Sequence, residues 1–489
     1  MDGEVRMDAA SLEELSTDEG NIVRHRPWAI LLPGSANDVA AMIQYCRSHG
    51  IKVAARGEGH MMFGQALVED GLVIKTATLA AIHSIGSDHA DVGAGTLWLD
   101  LLPQTTARGL TPPVLTGFLG LSVGGTLSAG GVSSFNHAGV QIDHVRELEV
   151  VTGTGQIVSC SETSNPDLFK GVLGGVGQLG IITRAVVDLV PARQRARSWI
   201  LQYLDPAACF RDFRLLHMRG ELDDVFVFAV PPTSPGLVTQ TPPPAVVAAL
   251  GPLAPATNLA TRALGPLLGL ASSLRSLFQG VWIYQISVTK YYDPGENPSA
   301  AQLLRGRSDL RLLRYRYNQT YLEYVSRVDV LVDLLKNLGL WHGVPKPWFD
   351  VFLPSQVTES FVTSTVRELR FDDIGQAGFV LCFPIRRDLL KRRFFNVPES
   401  DNEWIYLFDI LPAAPAPGPN TAFVADKLAR NRRLYEQARG LGATIYPIGA
   451  TELTPSDWMQ QFGAQYAEFA ALKATFDPDG ILTPGPNVF

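Results

Sequence analysis

The stretch RGEGHMMFGQ, residues 56–65, decides how the rest of the chain is read. Gly57, Gly59 and Gly64 lack side chains, and glycine serves where a backbone must turn sharply or let another group approach closely. The loop follows IKVAA (51–55), a short strand-like run, so it leaves the end of a strand. A histidine, His60, stands directly after Gly59. What comes so close to this loop, and why a histidine is set in it, are the questions the remaining sequence has to answer.

Two further segments share its character: VGGTLSAGGVS (123–133) and LGGVGQLGIITR (173–184). Consecutive free amides make a concave anion site, and diphosphate is the commonest large anion that needs one. Neither segment is a Rossmann fingerprint, because GGVGQLG does not open a helix after a first strand, and no phosphate-binding loop with Lys and Ser/Thr occurs. By pattern alone, a dinucleotide site stands only slightly above ordinary glycine turns of a sheet protein. A lone histidine is more often a satisfied polar side chain than a functional one. On a glycine loop, however, neutral imidazole is a nucleophile able to bond a flavin covalently.

The totals narrow the class. A chain of 489 residues exceeds one ordinary core, so two or more domains are expected. It is 46% hydrophobic and 18% charged, which suits a well-buried globular protein. A net charge of -7 and a pI near 5.8 argue against nucleic acid or an anionic membrane as the main partner. The acidic start MDGEVRMDAASLEELSTDEG has no apolar run of the secretory kind. The most apolar region, Ala245 to Leu277, is broken by Pro252, Pro255 and Pro266 and carries Arg262 and Arg275. A soluble, cytoplasmic protein is the expectation. Cys46, Cys160, Cys209 and Cys382 lie far apart without ligand spacing, so reduced, buried thiols and no metal site are expected.

Along the first third, helix and strand patterns alternate. NDVAAMIQYCRSHG (37–50) has helical spacing and ends at a candidate glycine cap, and GLVIKTA, ADVGAGT and ELEVVTGTGQIVSCS read as strands. After Pro191, SWILQYL, FVFAV, GVWIYQISV and GFVLCFPI read as strands of another sheet, with TYLEYVSRVDVLVDLLKNLG as one helix between them. A Pro/Ala-rich stretch, residues 231–270, reads as a surface excursion or helical insertion. NRRLYEQARGLG (helix), ATIYPIG (strand) and FDPDGILTPGPNVF close the chain.

RGEGHMMFGQ, LSVGGTLSAGGVS, HVRELEVVTGTGQIVSCS, NPDLFKGVLGGVGQLGIITRA, TYLEYVSRVDVLVDLLKNLGLWHGVPKPWFDVFLP and FDPDGILTPG, in this order, resemble the cytokinin dehydrogenases. These belong to the vanillyl-alcohol-oxidase group of FAD enzymes with the PCMH-type binding domain. The resemblance covers most of the chain and implies an α+β, two-domain FAD-binding PCMH-type fold with a sheet-plus-helices substrate cap. It implies an FAD-binding part at residues 1–192, a cap at 193–429 and a return to the FAD-binding part at 430–489. His60 resembles the histidine joined to the flavin 8α-methyl group, so covalent FAD is implied. Ala55, Gly57, Glu58 and Gly59 match the loop around the diphosphate, and Gln65 a nearby side-chain contact. Met61 stands where serine is usual. Ser122, Ser128 and Val132 match contacts on the second glycine segment, and Ile181 one on the third. Tyr446, Thr483 and Pro486 match positions that return over the flavin, Pro486 replacing a glutamine. TGFLGLSVGG lacks the cysteine that makes a second flavin bond in berberine-bridge-type relatives.

The departures bear on the reaction. Gly117 occupies the place of the family aspartate that takes the proton from the substrate amine, and glycine is no base. A second family carboxylate should fall near Leu331, where the sequence is apolar. Both losses make cytokinin itself an unexpected substrate. Asp350, in KPWFDVFLP, stands where the family has an asparagine and is the candidate catalytic base, against a plain structural aspartate at a strand end. Trp348 and Phe352 are candidate pocket walls, and Tyr315, Tyr317 and Tyr321 weaker candidates near the substrate. The expected function is an FAD-dependent oxidase or dehydrogenase, acting on an amine or alcohol carbon of an apolar, medium-sized metabolite. The expected setting is natural-product metabolism, with O2 reoxidising the flavin. A flavin-dependent oxidative cyclase and an inactive flavin-binding scaffold are the alternatives.

Overall fold

Val53–Arg56, the strand that feeds the 56–65 loop, is the edge of a four-stranded sheet, and its geometry places that loop. The order is Glu4–Arg6, Ala29–Leu32, Leu72–Lys75, Val53–Arg56, with the last three parallel. The helix Ala36–His49 covers this sheet with Val39, Ala40, Ile43 and Cys46, the i, i+4, i+7 face that helical spacing provides. It stops at Gly50, whose φ of 65° is the left-handed cap the sequence anticipates. The computed structural model describes residues 2–135, 137–231, 281–337, 339–375 and 378–489. From residue 232 onward the Pro/Ala-rich stretch lies outside the described residues.

A second, antiparallel sheet of five strands follows: Ile82–Ile85, His89–Gly93, Gly180–Asp188, Val145–Thr152 and Ile157–Ser161. The glycine segment around 123–133 packs beside it as the short helix Val123–Ala129, with Ser122 at its N-cap. The cap is an eight-stranded antiparallel sheet in the order Tyr315–Thr320, Arg195–Tyr203, Ile283–Tyr292, Asp224–Val230, Phe379–Arg386, Trp404–Leu411, Phe349–Pro354, Thr444–Ile445. Side chains alternate between its faces. Phe349 and Phe408 pack on one face, where Phe361 of the helix Ser355–Glu368 meets Phe408 at 5.9 Å. The other face is left to line a cavity. The architecture is α+β: helices, the two sheets above with a small two-stranded one (Leu110–Thr111 with Val190–Pro191) on the FAD-binding side, and the cap sheet.

Three details depart from the sequence reading. The expected helix at TYLEYVSRVDVLVDLLKNLG is two helices, Tyr321–Val325 and Arg327–Asn337. Ser326 bonds back to the Leu322 carbonyl (Oγ to O, 2.7 Å), a contact that bends helices. The expected return at residue 430 falls inside the continuous helix Thr421–Gly440, because its face stays packed on the cap sheet. The expected strand ATIYPIG pairs only at Thr444–Ile445, on the edge of that sheet. Beyond it, Ile448 accepts the Met62 N–H (3.0 Å), and the tail bonds Val53 through Ile481 O (2.8 Å) and Thr483 N (2.7 Å).

Candidate functional site

One cavity joins the three glycine segments to the free face of the cap sheet, with about 1530 Å³ of empty space including its mouth. The enclosed part, about 300 Å³, is at the lower end of the roughly 300–1,000 Å³ of an ordinary small-ligand pocket. Of the residues expected to hold FAD, Ala55, Gly57, Glu58, Gly59, His60, Met61, Gln65, Gly117, Ser122, Ser128, Val132, Ile181, Tyr446 and Thr483 line it, and so does Asp350. Pro486 does not. It is buried to one side, its carbonyl accepting the Trp458 indole N–H at 2.8 Å. Trp348 lines the cavity, whereas Phe352 packs behind Tyr446 with ring centroids 5.2 Å apart. Tyr315, Tyr317 and Tyr321 are not among the lining residues: Tyr315 is exposed and the Tyr321 hydroxyl meets Thr111 at 3.0 Å.

The glycine walls are built by close approach. A methyl group at Gly57 would collide with Ser122 Oγ, so the first and second glycine segments touch only because Gly57 has no Cβ. Gly59 has a φ of 68°, and the Arg56 guanidinium fills the space where its Cβ would stand. The second and third segments are joined by Gly174 N to Leu127 O (2.9 Å) and Val176 N to Ser128 O (2.9 Å). Thr483 Oγ1 donates to Gly177 O (2.8 Å), which brings the tail to the same wall. The hydroxyls of Ser122 and Ser128 serve backbone, capping Gly125 N and bonding Gly124 O.

His60 projects between aromatic rings. Phe118 stacks on it with centroids 5.0 Å apart, and Trp348 meets it edge-on at 5.9 Å. The imidazole keeps part of its surface open to the cavity, yet the enclosure pushes its pKa down to about 4. Burial is the main cause; Lys346 and Lys336 add to it and Glu19 opposes it. The ring is therefore neutral and nucleophilic at physiological pH. The loop is held from below by Asp18, which accepts the amides of Gly20 and Gly64, and by the Glu19–Lys346 pair at 2.8 Å. Burial raises Asp18 to about 7.

Gly117 sits where a side chain would enter open space. The adjoining turn is fixed by Asp329, whose carboxylate accepts Leu119 N (3.0 Å) and Gly120 N (2.7 Å). Burial raises Asp329 to about 6. Asp329 lies two residues from the apolar Leu331, and neither lines the cavity. Sequence reasoning did not single out Asp329, although a carboxylate on the apolar side of an amphipathic helix is the kind of signal that marks it.

The cap sheet presents Leu381 and Phe383, then Leu407, Asp409 and Leu411, then Trp348 and Asp350 to the cavity, the period-2 set of three adjacent chain segments. Asp350 is 2% and Asp409 4% exposed, and the two stand directly opposite on paired strands. Burial drives both carboxyls upward, and Asp350 drives Asp409 further. Asp409 was not anticipated, although an aspartate inside the apolar run WIYLFDIL (404–411) runs against strand preference.

The arrangement suits FAD on its own geometry. Backbone of the glycine segments can hold the diphosphate, a neutral imidazole opens onto the cavity, and a mainly apolar sheet face closes the other side. Among the described residues there is no group of three or more His, Cys, Asp or Glu placed to hold a metal, and no helix long and apolar enough to cross a membrane. Comparison with known proteins agrees. Residues 27–161 match the profile of an FAD binding domain, and residues 268–489 that described as "Cytokinin dehydrogenase 1, FAD and cytokinin binding". The chain is 30% identical over 487 residues to the "Uncharacterized oxidoreductase ORF5 in fasciation locus" of Rhodococcoides fascians, covering 99% of each. It is 31% identical over 495 residues to cytokinin dehydrogenase 2 of Arabidopsis thaliana, covering 99% of this chain and 93% of that one. Over 518 residues it is 33% identical to cytokinin dehydrogenase 5 of Oryza sativa subsp. japonica, covering 100% and 91%.

Proposed function

This chain belongs to the cytokinin dehydrogenase-like FAD-dependent oxidoreductases, and on that premise we propose that it oxidises an amine or alcohol carbon of an apolar, medium-sized metabolite. When bound, FAD supplies the two-electron acceptor for the hydride. Ala55, Gly57, Glu58, Gly59, Ser122, Ser128, Val132, Ile181 and Thr483 are the wall that would hold it, and His60 is its covalent attachment point. Neutral imidazole is the form that can bond carbon, and burial keeps His60 in that form. With FAD bound, the His60 ring nitrogen would be the nucleophile toward the flavin methyl carbon and would give up its proton, the accompanying two-electron oxidation needing an acceptor such as dioxygen.

The observation that carries the reading is Asp350, a carboxyl on an otherwise mainly apolar cavity face. A general base must reach the cavity and titrate near the working pH; burial moves Asp350 in that direction. It accepts the N–H or O–H proton as the hydride leaves. Gly117 offers no acid at the position the resemblance assigns to the family base, so cytokinin is not the substrate in this reading. Leu381, Phe383, Leu407 and Leu411 exclude water and seat the apolar body of the molecule. Dioxygen reoxidises the flavin, and the setting is natural-product metabolism.

The test begins with the visible spectrum of purified protein before and after acid precipitation. Yellow colour retained in the pellet supports the His60 link; colour released to the supernatant removes it. Anaerobic bleaching by members of a panel of apolar amines and alcohols supports the oxidoreductase assignment. A product two hydrogens lighter than the substrate supports dehydrogenation, and one of unchanged mass replaces it by cyclisation. Protein that stays colourless after incubation with FAD refutes the reading.

A further inference from the structure

We propose that Asp350 and Asp409 form one proton-sharing carboxyl pair, with Asp409 the positioning residue that keeps Asp350 placed and poised as proton acceptor. For its substrate chemistry this rests on the oxidoreductase reading above. The pair itself rests on the apoprotein geometry.

The two carboxyls meet because Asp350 and Asp409 are register partners on adjacent antiparallel strands, both on the cavity face. Opposed like charges destabilise a strand pair, and two buried carboxylates cannot both ionise side by side. Facing each other in register and both buried, the two carboxyls are placed to bond each other. A carboxylate only accepts, so that bond requires a resident proton on one of them. One oxygen of each side chain, Asp350 Oδ2 and Asp409 Oδ1, is buried without a hydrogen-bond partner among the described residues. Those two oxygens are the free acceptor positions in the wall.

The surroundings favour a singly protonated pair. The other titratable groups acting on it are Tyr446, beside the Thr444–Ile445 edge strand, and Cys382 on the neighbouring strand; both are neutral. No cation of the described residues offsets its charge. The flanking side chains Leu381, Leu407 and Leu411 add no donor. Gly449 shows that the fold makes room for the pair, since a methyl group there would collide with Asp350 Oδ2. An asparagine at 350 would need no such proton, whereas an aspartate facing Asp409 does.

The reaction then balances. The substrate N–H or O–H bond breaks, its proton going to the pair and its electrons becoming the new C=N or C=O bond. The C–H electron pair would leave as hydride, for which bound FAD would be the acceptor. The pair goes from one proton to two and becomes neutral, so the proton acceptor loses its charge in the cavity wall as the product forms. It returns a proton to solvent when the product leaves.

The experiment is an infrared titration of substrate-free holoenzyme labelled with 13C-aspartate, comparing wild type with Asp409→Asn and Asp350→Asn. Wild type is expected to hold one more protonated aspartate at pH 8 than Asp409→Asn, because the introduced side-chain amide can donate to an ionised Asp350. Asp350→Asn should lose the same band, and it serves alone if Asp409→Asn fails to fold. Equal protonated-aspartate signals in wild type and the variants overturn the pair. Once a reducing substrate is found, the acid limb of flavin reduction should move to higher pH in Asp409→Asn, because the protonated Asp409 holds Asp350 down as a stronger hydrogen-bond donor than an amide; a slower rate with an unmoved limb overturns the positioning role. Wild type that shows the band but is bleached by no amine or alcohol upholds the pair and sinks the amine-or-alcohol reading. Bleaching without the band does the reverse.

Discussion

Gln65→Leu should destabilise the protein by about 3 kcal/mol and loosen its hold on flavin, because Gln65 ties the His60 loop to the C-terminal return. Its Nε2 donates to Gly449 O at 2.9 Å and Pro447 O at 3.2 Å, and its Oε1 accepts the Phe63 N–H at 2.8 Å. Gln65 lines the cavity, and its polar atoms also bond backbone. In the leucine variant the buried Gly449 carbonyl is orphaned, at about 1–3 kcal/mol. Pro447 and Phe63 are half-buried, and each of their lost bonds costs about 0.5–1.5 kcal/mol. The more apolar side chain returns about 1 kcal/mol. Urea unfolding at pH 7 with saturating FAD measures the difference through the midpoint at unchanged slope. Gln65→Glu is the control: it keeps the acceptor for Phe63 but points carboxylate oxygens at two carbonyls, so at pH 8 it should be less stable than the leucine variant. A leucine variant within about 0.5 kcal/mol of wild type, the size of an ordinary surface change, refutes the tie.

Other outcomes follow from the same geometry. His60→Ala should fold with unchanged circular dichroism and lose any acid-stable yellow colour; colour retained in the pellet would place the link elsewhere. Asp350→Asn should slow anaerobic flavin reduction by roughly 10²–10⁴, the range of a lost general base, with flavin content intact. In that background Gly117→Asp, which enters open space, should recover part of the rate; no recovery would mean that a carboxylate there does not reach the reacting proton. His217 is buried against Phe213 and Trp404 with Nε2 2.9 Å from the Tyr406 hydroxyl, and burial lowers it from 6.5 to about 3. Its folded pKa lies below the unfolded one, so the unfolded chain binds the extra proton and stability falls as pH drops from 6.5 towards 3, by up to roughly 5 kcal/mol from this group. His217→Phe should flatten that part of the stability profile, which urea midpoints at pH 4 and pH 7 would show; an unchanged slope would place the acid sensitivity in other groups.

The sequence by itself determined the glycine walls, most of the strands and the family. A missing Cβ is written directly into the chain, so Gly57 and Gly59 announce a close approach before its partner is known. Alternating and 3.6-residue patterns are likewise local, which is why the strands around 53–56, 145–161 and 379–386 and the helix ending at Gly50 were legible. What only the tertiary structure decided is which residues face one another. Asp409 reads as an odd aspartate in WIYLFDIL until strand register sets it opposite Asp350. Asp329 reads as a helix-face carboxylate until the 119–120 amides arrive. Gln65, in the cavity wall, also ties the loop to the Gly449 carbonyl, and Pro486 lies off the cavity, because the carbonyls and the indole that bond them come from distant segments. Register and long-range hydrogen bonding depend on how sheets align across hundreds of residues, and no local window carries that information.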